Sequence, residues 1–276
     1  MSFQYLYKRK KYRTLITNLI LKSGGRYVLT SEKINSLLDK YTETYDDEKI
    51  YKKLRKLMKE EVLSKTTIDH INSKSKKANI RFTEICKIPD IMTHIDDVER
   101  YLDFGAGDCS MAVLLGKLFK VKDVYAIDIS EWDGSLFDSG IYKDKCNFRM
   151  YDGKTIPFKT NSFDLITSFQ VLHHIETIDV ILSELYRVLC YGGVLIIREH
   201  DCHNNKMYKL IEIEHELHNK VFNPQINEKE AYSCYRPKKT LKQLIIDAGF
   251  EYIGQYCMKD EIWNPTRYYY QAFLKS

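Results

Sequence analysis

The hydrophobic pattern of the chain changes character near residue 90. Before it, apolar residues recur at helical spacing. Leu15, Ile16, Leu19 and Ile20 predict a helix from about Tyr12 to Leu21, ended by Ser23, Gly24 and Gly25. Thr30 or Ser31 can cap a second helix through Tyr41. Asp46, Asp47 and Glu48 open a third, whose stripe is Ile50, Leu54, Leu57, Met58 and Val62 and whose acids suit the helix dipole. Thr66 to Ile71 and Ala78 to Ile85 then read as short strands joined by the polar run Asn72 to Lys77, a hairpin, and Pro89 marks the expected linker. Three helices followed by a basic hairpin is the order of a winged helix; a helical cap over a pocket is the equally weighted alternative.

After residue 90, short apolar runs alternate with amphipathic segments. Strands are predicted at Tyr101 to Phe104, Val124 to Asp128, Phe148 to Tyr151, from Phe163, and from Val194 to Asp201. Helices are predicted from Cys109 to Phe119, with Met111, Leu114, Leu115 and Leu118 inward, from Asp179 to Leu189, and from Thr240 to Gly249. Two further strands, the last around Tyr268, Tyr269 and Tyr270, close the chain. The stretch from Glu131 to Lys145 is loop-rich, with Trp132 and Phe137 as candidate walls. Alternating strands and helices predict an α/β domain over residues 91–276, with a smaller domain over 1–90.

Charge separates the same two parts. The chain of 276 residues has a formal net charge of +5, but residues 1–90 hold 21 Lys and Arg against 11 Asp and Glu, which leaves −5 for the rest. A basic front on an acidic body suggests a polyanionic partner, RNA for example, and Lys52, Lys53, Arg55, Lys56, Lys74, Lys76, Lys77 and Arg81 would be the contacts; a solvated helix face is the plainer reading. The seven scattered cysteines include no Cys-x-x-Cys, which disfavours a disulfide framework and fits a reducing compartment. No apolar run is long enough to span a membrane and no signal-peptide pattern is present, so a soluble, cytoplasmic protein is expected.

The candidate chemistry centres on the segment from Arg100 to Ser130. Gly105 and Gly107 permit a sharp turn and a close backbone approach, and the helix that follows presents free N–H groups. Asp128 lies 21 residues after Gly107, close to the spacing at which an acid meets a ribose, so a nucleoside cofactor is expected. Ser110 would allow a pyrophosphate, but Asp103 is awkward beside a phosphate and well placed for an ammonium.

At these residues the chain resembles the class I S-adenosylmethionine-dependent methyltransferases, whose motifs would be Asp103, Gly105 and Gly107 and then Asp128. It is more closely similar to the type-11, ubiquinone-biosynthesis-like subgroup through Asp152, Ile156-Pro157-Phe158, Ser162-Phe163-Asp164 and the turn Gly192-Gly193. Cys109 stands where a third glycine is common, and Cys190-Tyr191 where Lys-Pro is usual. The resemblance covers about residues 91–276. It implies a Rossmann-like fold whose mostly parallel seven-stranded sheet has an antiparallel last strand. It also implies S-adenosyl-L-methionine as cofactor, with S-adenosyl-L-homocysteine as product, held by Asp103, Gly105, Gly107, Asp128, Ile129, Asp152, Gly153 and Phe169.

Methyl transfer from a sulfonium is an in-line displacement that needs placement of the nucleophile and exclusion of water rather than a triad or a metal. A hydroxyl acceptor would gain from a general base, and the candidates are His200 beside Glu199 and Asp201, and His173. For His173 and His174, packing at a helix start is the plainer reading. His200, Cys202 and His203 are too closely spaced for ordinary ligation, and His215 and His218 fit an exposed helix face, so no metal is expected. The segment Ser168-Phe169-Gln170-Val171 lacks the motifs of exocyclic-amine and ribose 2′-hydroxyl methyltransferases, leaving cap guanine or a small molecule or lipid as acceptor. The alternatives to a methyltransferase that acts on RNA or a small acceptor are an inactive, nucleic-acid-binding or regulatory subunit of the same fold and, against Asp103, an NAD-dependent oxidoreductase.

Overall fold

Strand β1 (Arg100–Phe104) lies inside a seven-stranded sheet of order β3-β2-β1-β4-β5-β7-β6, next to the middle strand β4. Its partners are β2 (Asp123–Asp128), β3 (Asn147–Met150), β4 (Phe163–Phe169), β5 (Leu189–His200), β6 (Glu251–Cys257) and β7 (Tyr268–Leu274). β1 to β5 pair in parallel, and β7 runs antiparallel to both β5 and β6. This computed structural model describes residues 3–22, 29–63, 67–130, 141–222, 232–258 and 266–276. The expected turn at Ser23 to Gly25 and the candidate walls Trp132 and Phe137 lie outside them.

Alternation along the strands builds the two sheet faces, because successive side chains point to opposite sides. Leu102, Phe104, Ile166, Leu195 and Ile197 face one core with α8 (Ile178–Val188) and α10 (Lys238–Asp247). Tyr101, Leu165, Phe169, Val194, Ile196 and Tyr270 face another with α5 (Thr67–Ile85), α6 (Ile91–His94) and α7 (Ser110–Leu118). In α8 the buried residues Ile178, Ile181, Leu182, Leu185 and Val188 follow the helical period, while Asp179 in the first turn and Arg187 in the last complement the dipole.

α5 corrects the expected hairpin. Residues 67–85 form one helix, and the described residues before β1 contain no strand, so no wing forms. Ala78, Arg81, Glu84 and Ile85 are its buried positions, spaced as a helix requires, and they pack towards α7 and the sheet. β-branched and aromatic residues on either side of a polar run imitate two strands, and tertiary packing overrides that local preference.

A separate core joins α1 (Phe3–Tyr7), α2 (Lys10–Lys22), α3 (Ser31–Tyr41) and α4 (Asp47–Leu63) to α9 (Asn205–Leu217), which the chain inserts after β5. Ile16, Leu19, Ile34, Leu38, Ile50 and Leu54 from the first helices pack with Leu210, Ile213, Leu217 and Val221. The cores therefore divide between residues 63 and 67, because α5 belongs to the sheet. Among the described residues no helix is long and apolar enough to cross a membrane.

Candidate cofactor and acceptor site

The turn after β1 is built from backbone groups. Gly105 and Gly107 have φ of +74° and +53°, and Cys109, in the position where a third glycine was expected, also has a positive φ of +59°. A Cβ on Gly105 would stand 2.3 Å from Val171 Cγ2, so this position requires glycine on two counts. The N–H groups of Gly105 and Ala106 donate to the Ile127 carbonyl at 2.9 and 3.0 Å, tying the turn to the end of β2. Asp128, the next residue, accepts from Gly107 N–H and Ile129 N–H, both at 2.8 Å. Asp152 is exposed beyond β3 and accepts from the N–H groups of Lys154 and Thr155, which hold its pKa below the usual carboxylate value. Gly153 lies against Ile129, whose Cγ2 would be 3.7 Å from a Cβ there.

Asp103 differs from these in being 3% exposed. It accepts from the Thr167 hydroxyl at 2.6 Å, and Thr167 in turn meets the Tyr101 hydroxyl at 2.7 Å. Burial pushes its pKa up to about 7, against the pull of Thr167 and Arg81.

α5 turns its basic residues over this end of the sheet. Lys74 pairs with Asp108, and the Arg81 guanidinium lies 5.3 Å from the centre of the Phe169 ring. Burial, with Arg81 and Lys74 nearby, drives the pKa of Lys77 well below the ordinary lysine value. Within the set expected to touch nucleic acid, Lys77 and Arg81 thus face the cofactor turn, whereas Lys52, Lys56 and Lys76 are exposed. Lys53 and Arg55 are half-buried, and Arg55 donates through Nε to the Lys220 carbonyl at 3.1 Å.

The ends of β4 and β5 carry the candidate acceptor-side residues. Gln170 adopts a positive φ of +64°, held by its side chain: its Oε1 accepts from Arg198 at 2.6 Å and its Nε2 donates to the Tyr268 hydroxyl at 3.2 Å. Glu199 Oε1 accepts from the N–H groups of Val171 and Leu172 at 3.0 and 2.8 Å, and its Oε2 meets His173 Nδ1 at 2.5 Å. Burial raises the pKa of Glu199 to about 7; burial and the charge of Arg236 lower that of His173 to about 3. His200 packs against Tyr268 with the rings tilted by 37° and their centres 4.5 Å apart, and its Nδ1 is 3.2 Å from the Thr266 carbonyl. A small cleft here is lined by His173, Glu199, His200, Cys234, Tyr235 and Arg236.

α9 reaches the same place from the cap. Glu214 accepts from the hydroxyls of Thr266 and Tyr268 at 2.5 and 3.0 Å, and His215 Nε2 lies 3.0 Å from His173 Nε2. The three sequence candidates His173, Glu199 and His200 are thus brought together. Gln170, Arg198, Glu214 and His215 join them unforeseen. The one signal in the sequence is a charged Glu-His pair inside the apolar pattern of α9.

Comparison with known proteins agrees with this geometry. Residues 102–197, from β1 to β5, match the methyltransferase domain family of type 11. This is a class I, S-adenosylmethionine-dependent methyltransferase domain. The ubiquinone/menaquinone biosynthesis C-methyltransferase UbiE of Neisseria meningitidis is 28% identical over 119 residues, 39% of this chain and 47% of that protein. The chain thus spans about half the length of the curated relatives it matches. Among solved structures, a chain from the complex of the Haloferax volcanii Trm112 methyltransferase activator with a methyltransferase has a TM-score of 0.53 at 13% identity. The match covers 75% of this chain and 95% of that one. A SAM-dependent methyltransferase from Thermotoga maritima has a TM-score of 0.50 at 16% identity, covering 75% and 89%. At these identities the likeness is one of fold.

Proposed function

We propose that the protein transfers the methyl group of S-adenosyl-L-methionine to a small acceptor bound beneath the helical cap. The observation that carries the reading is the convergence of Asp103, the Gly105 to Gly107 turn and Asp128 at the carboxyl ends of adjacent parallel strands, where open α/β sheets take ligands. The cofactor supplies an electrophilic sulfonium methyl. Asp128 would accept from the ribose hydroxyls, Asp152 from the adenine amino group, and Ile129, Gly153 and Phe169 would form walls. An amino-acid end bears both charges, and the site offers both complements: Asp103 for the ammonium, Arg81 and Lys77 for the carboxylate. Gly105 and Gly107 let the backbone approach.

On the acceptor side, Glu199, His173 and His200 would orient the nucleophile and receive its proton where it is a hydroxyl. Two features support a small acceptor over RNA. The first is the shared core of the N-terminal helices and α9, which makes them a cap. The second is the inward turn of Lys77 and Arg81, which removes two cations from the outer surface.

Thermal unfolding with S-adenosylhomocysteine tests the cofactor assignment: at a hundred times its Kd the ligand should add about 2.7 kcal/mol of stability, whereas NAD should add none. Stabilisation by NAD alone would overturn it, and stabilisation by neither ligand would favour the regulatory-subunit reading. A short RNA should show no salt-sensitive binding; tight binding that weakens steeply with salt would replace the cap reading with RNA recognition.

A further inference from the structure

His173, His174 and His215 converge. Among the described residues they form the one group in which three potential ligand atoms lie within 4.8 Å of one another. The rings come from two separate elements, the short 3-10 turn Leu172–His174 after β4 and helix α9. Each ring is anchored behind. His173 Nδ1 meets Glu199 Oε2 at 2.5 Å, His174 Nδ1 meets the Tyr232 carbonyl at 2.7 Å, and His215 Nδ1 meets the Ile211 carbonyl at 3.0 Å.

Carbonyl oxygens only accept, so the Nδ1 atoms of His174 and His215 carry hydrogens, and an ionised Glu199 asks the same of His173. A neutral ring protonated at Nδ1 offers its lone pair at Nε2. His173 Nε2 and His215 Nε2 then face each other at 3.0 Å with lone pairs on both sides, an arrangement that a shared cation relieves. Two nitrogens bound at roughly 2.0 to 2.1 Å in a tetrahedral site stand about 3.3 Å apart, so these two need to part by only a few tenths of an ångström. Backing of ligand imidazoles by a carboxylate or a carbonyl is the arrangement that fixes tautomer and orientation at metal centres.

We propose that His173, His174 and His215 bind one divalent transition-metal ion, of the zinc or cobalt kind, at the edge of the acceptor cleft; with the ion bound, His173 is a ligand, and the proton-accepting role falls to His200 or Glu199. An all-imidazole donor set suits such ions and not magnesium or calcium. Three protein ligands leave a fourth position for water or for an oxygen of the acceptor, on the side lined by His200, Tyr235 and Arg236. The expectation of no metal rested on the spacing of His200, Cys202 and His203 and on placing His215 on an exposed helix face, whereas His215 turns inward against His173. The cluster instead pairs residues 42 positions apart.

The test uses the full chain, stripped with EDTA, dialysed and titrated with cobalt(II). One equivalent should bind with the visible d–d absorption of a low-symmetry site, and zinc should displace it. His215→Ala and His174→Ala should each weaken binding by at least ~100-fold, and Glu199→Gln, which loses an anchor, by ~10 to 100-fold. His203→Ala, a change at an exposed histidine outside the cluster, should leave binding unchanged. Retention of the S-adenosylhomocysteine thermal shift in each variant establishes that the fold is intact, and the metal readout does not depend on methyl transfer. No stoichiometric uptake by the wild-type chain would overturn the proposal and leave a proton shared between His173 and His215. Uptake undiminished in both ligand variants would overturn it equally, by moving the ion elsewhere.

Discussion

The two halves of the cleft are made differently. The core of the proposed cofactor half, around the glycine turn, comes from consecutive pieces of chain, β1, its turn, α7 and β2, and its contacts are mostly through backbone N–H groups: those of Gly105, Ala106, Gly107 and Ile129. The acceptor half draws on β4, β5, β7, α9 and the segment before α10, and its contacts are between side chains such as Gln170, Arg198, Glu199, Glu214 and Tyr268. A backbone cradle serves one invariant ligand. A side-chain network fed by an inserted helix can be revised without disturbing that cradle.

Separating the halves by mutation is the way to test this. The largest effect is expected from Leu217→Ala, which empties a fully buried position where α9 meets the N-terminal helices. It should cost about 2 to 5 kcal/mol in denaturant unfolding, and in the surviving folded protein should spare S-adenosylhomocysteine binding while raising the acceptor KM. Loss of cofactor affinity there would mean that the halves are not independent. Gly105→Ala comes next: the positive φ and the Val171 contact together should cost about 2 to 4 kcal/mol and abolish cofactor binding, measured by calorimetry. Asp128→Ala should weaken S-adenosylhomocysteine by about 1.5 to 3 kcal/mol through loss of charged hydrogen bonds; unchanged affinity would move the ribose contact elsewhere.

The smallest effect, taken per pH unit, is a pH dependence. The folded-state pKa of Asp103, about 7, lies above its ordinary value of 3.8, so between these pH values the folded chain holds more protons than the unfolded one. Its contribution therefore lowers stability as pH rises from about 4 to 7, by at most ~1.4 kcal/mol per unit, and levels off above. A cofactor ammonium favours the ionised form, so affinity should rise between about pH 6 and pH 8. Asp103→Asn should flatten both trends; persistence of either would assign it to another group.

The same contrast explains what could be read in the chain. The glycine turn and Asp128 were legible because the motif is local and its spacing follows from one strand-helix-strand unit. The mostly parallel seven-stranded sheet, including the reversed β7, came with the resemblance that those residues established. α5 was misread because its inner face carries Lys77, Arg81 and Glu84 among the apolar positions, which blurs the helical period. His215 gave no sign beyond the Glu-His pair within the apolar pattern of α9, since its meaning depends on His173 across an inserted helix and two strand ends.

Calorimetric titration of S-adenosylhomocysteine into the wild-type chain and into Gly105→Ala tests the central claim most directly. The account predicts one site per chain in the wild type and none in the variant, with the variant's fold verified by circular dichroism. Absence of binding in the wild type, or equal binding in a folded Gly105→Ala, would contradict it.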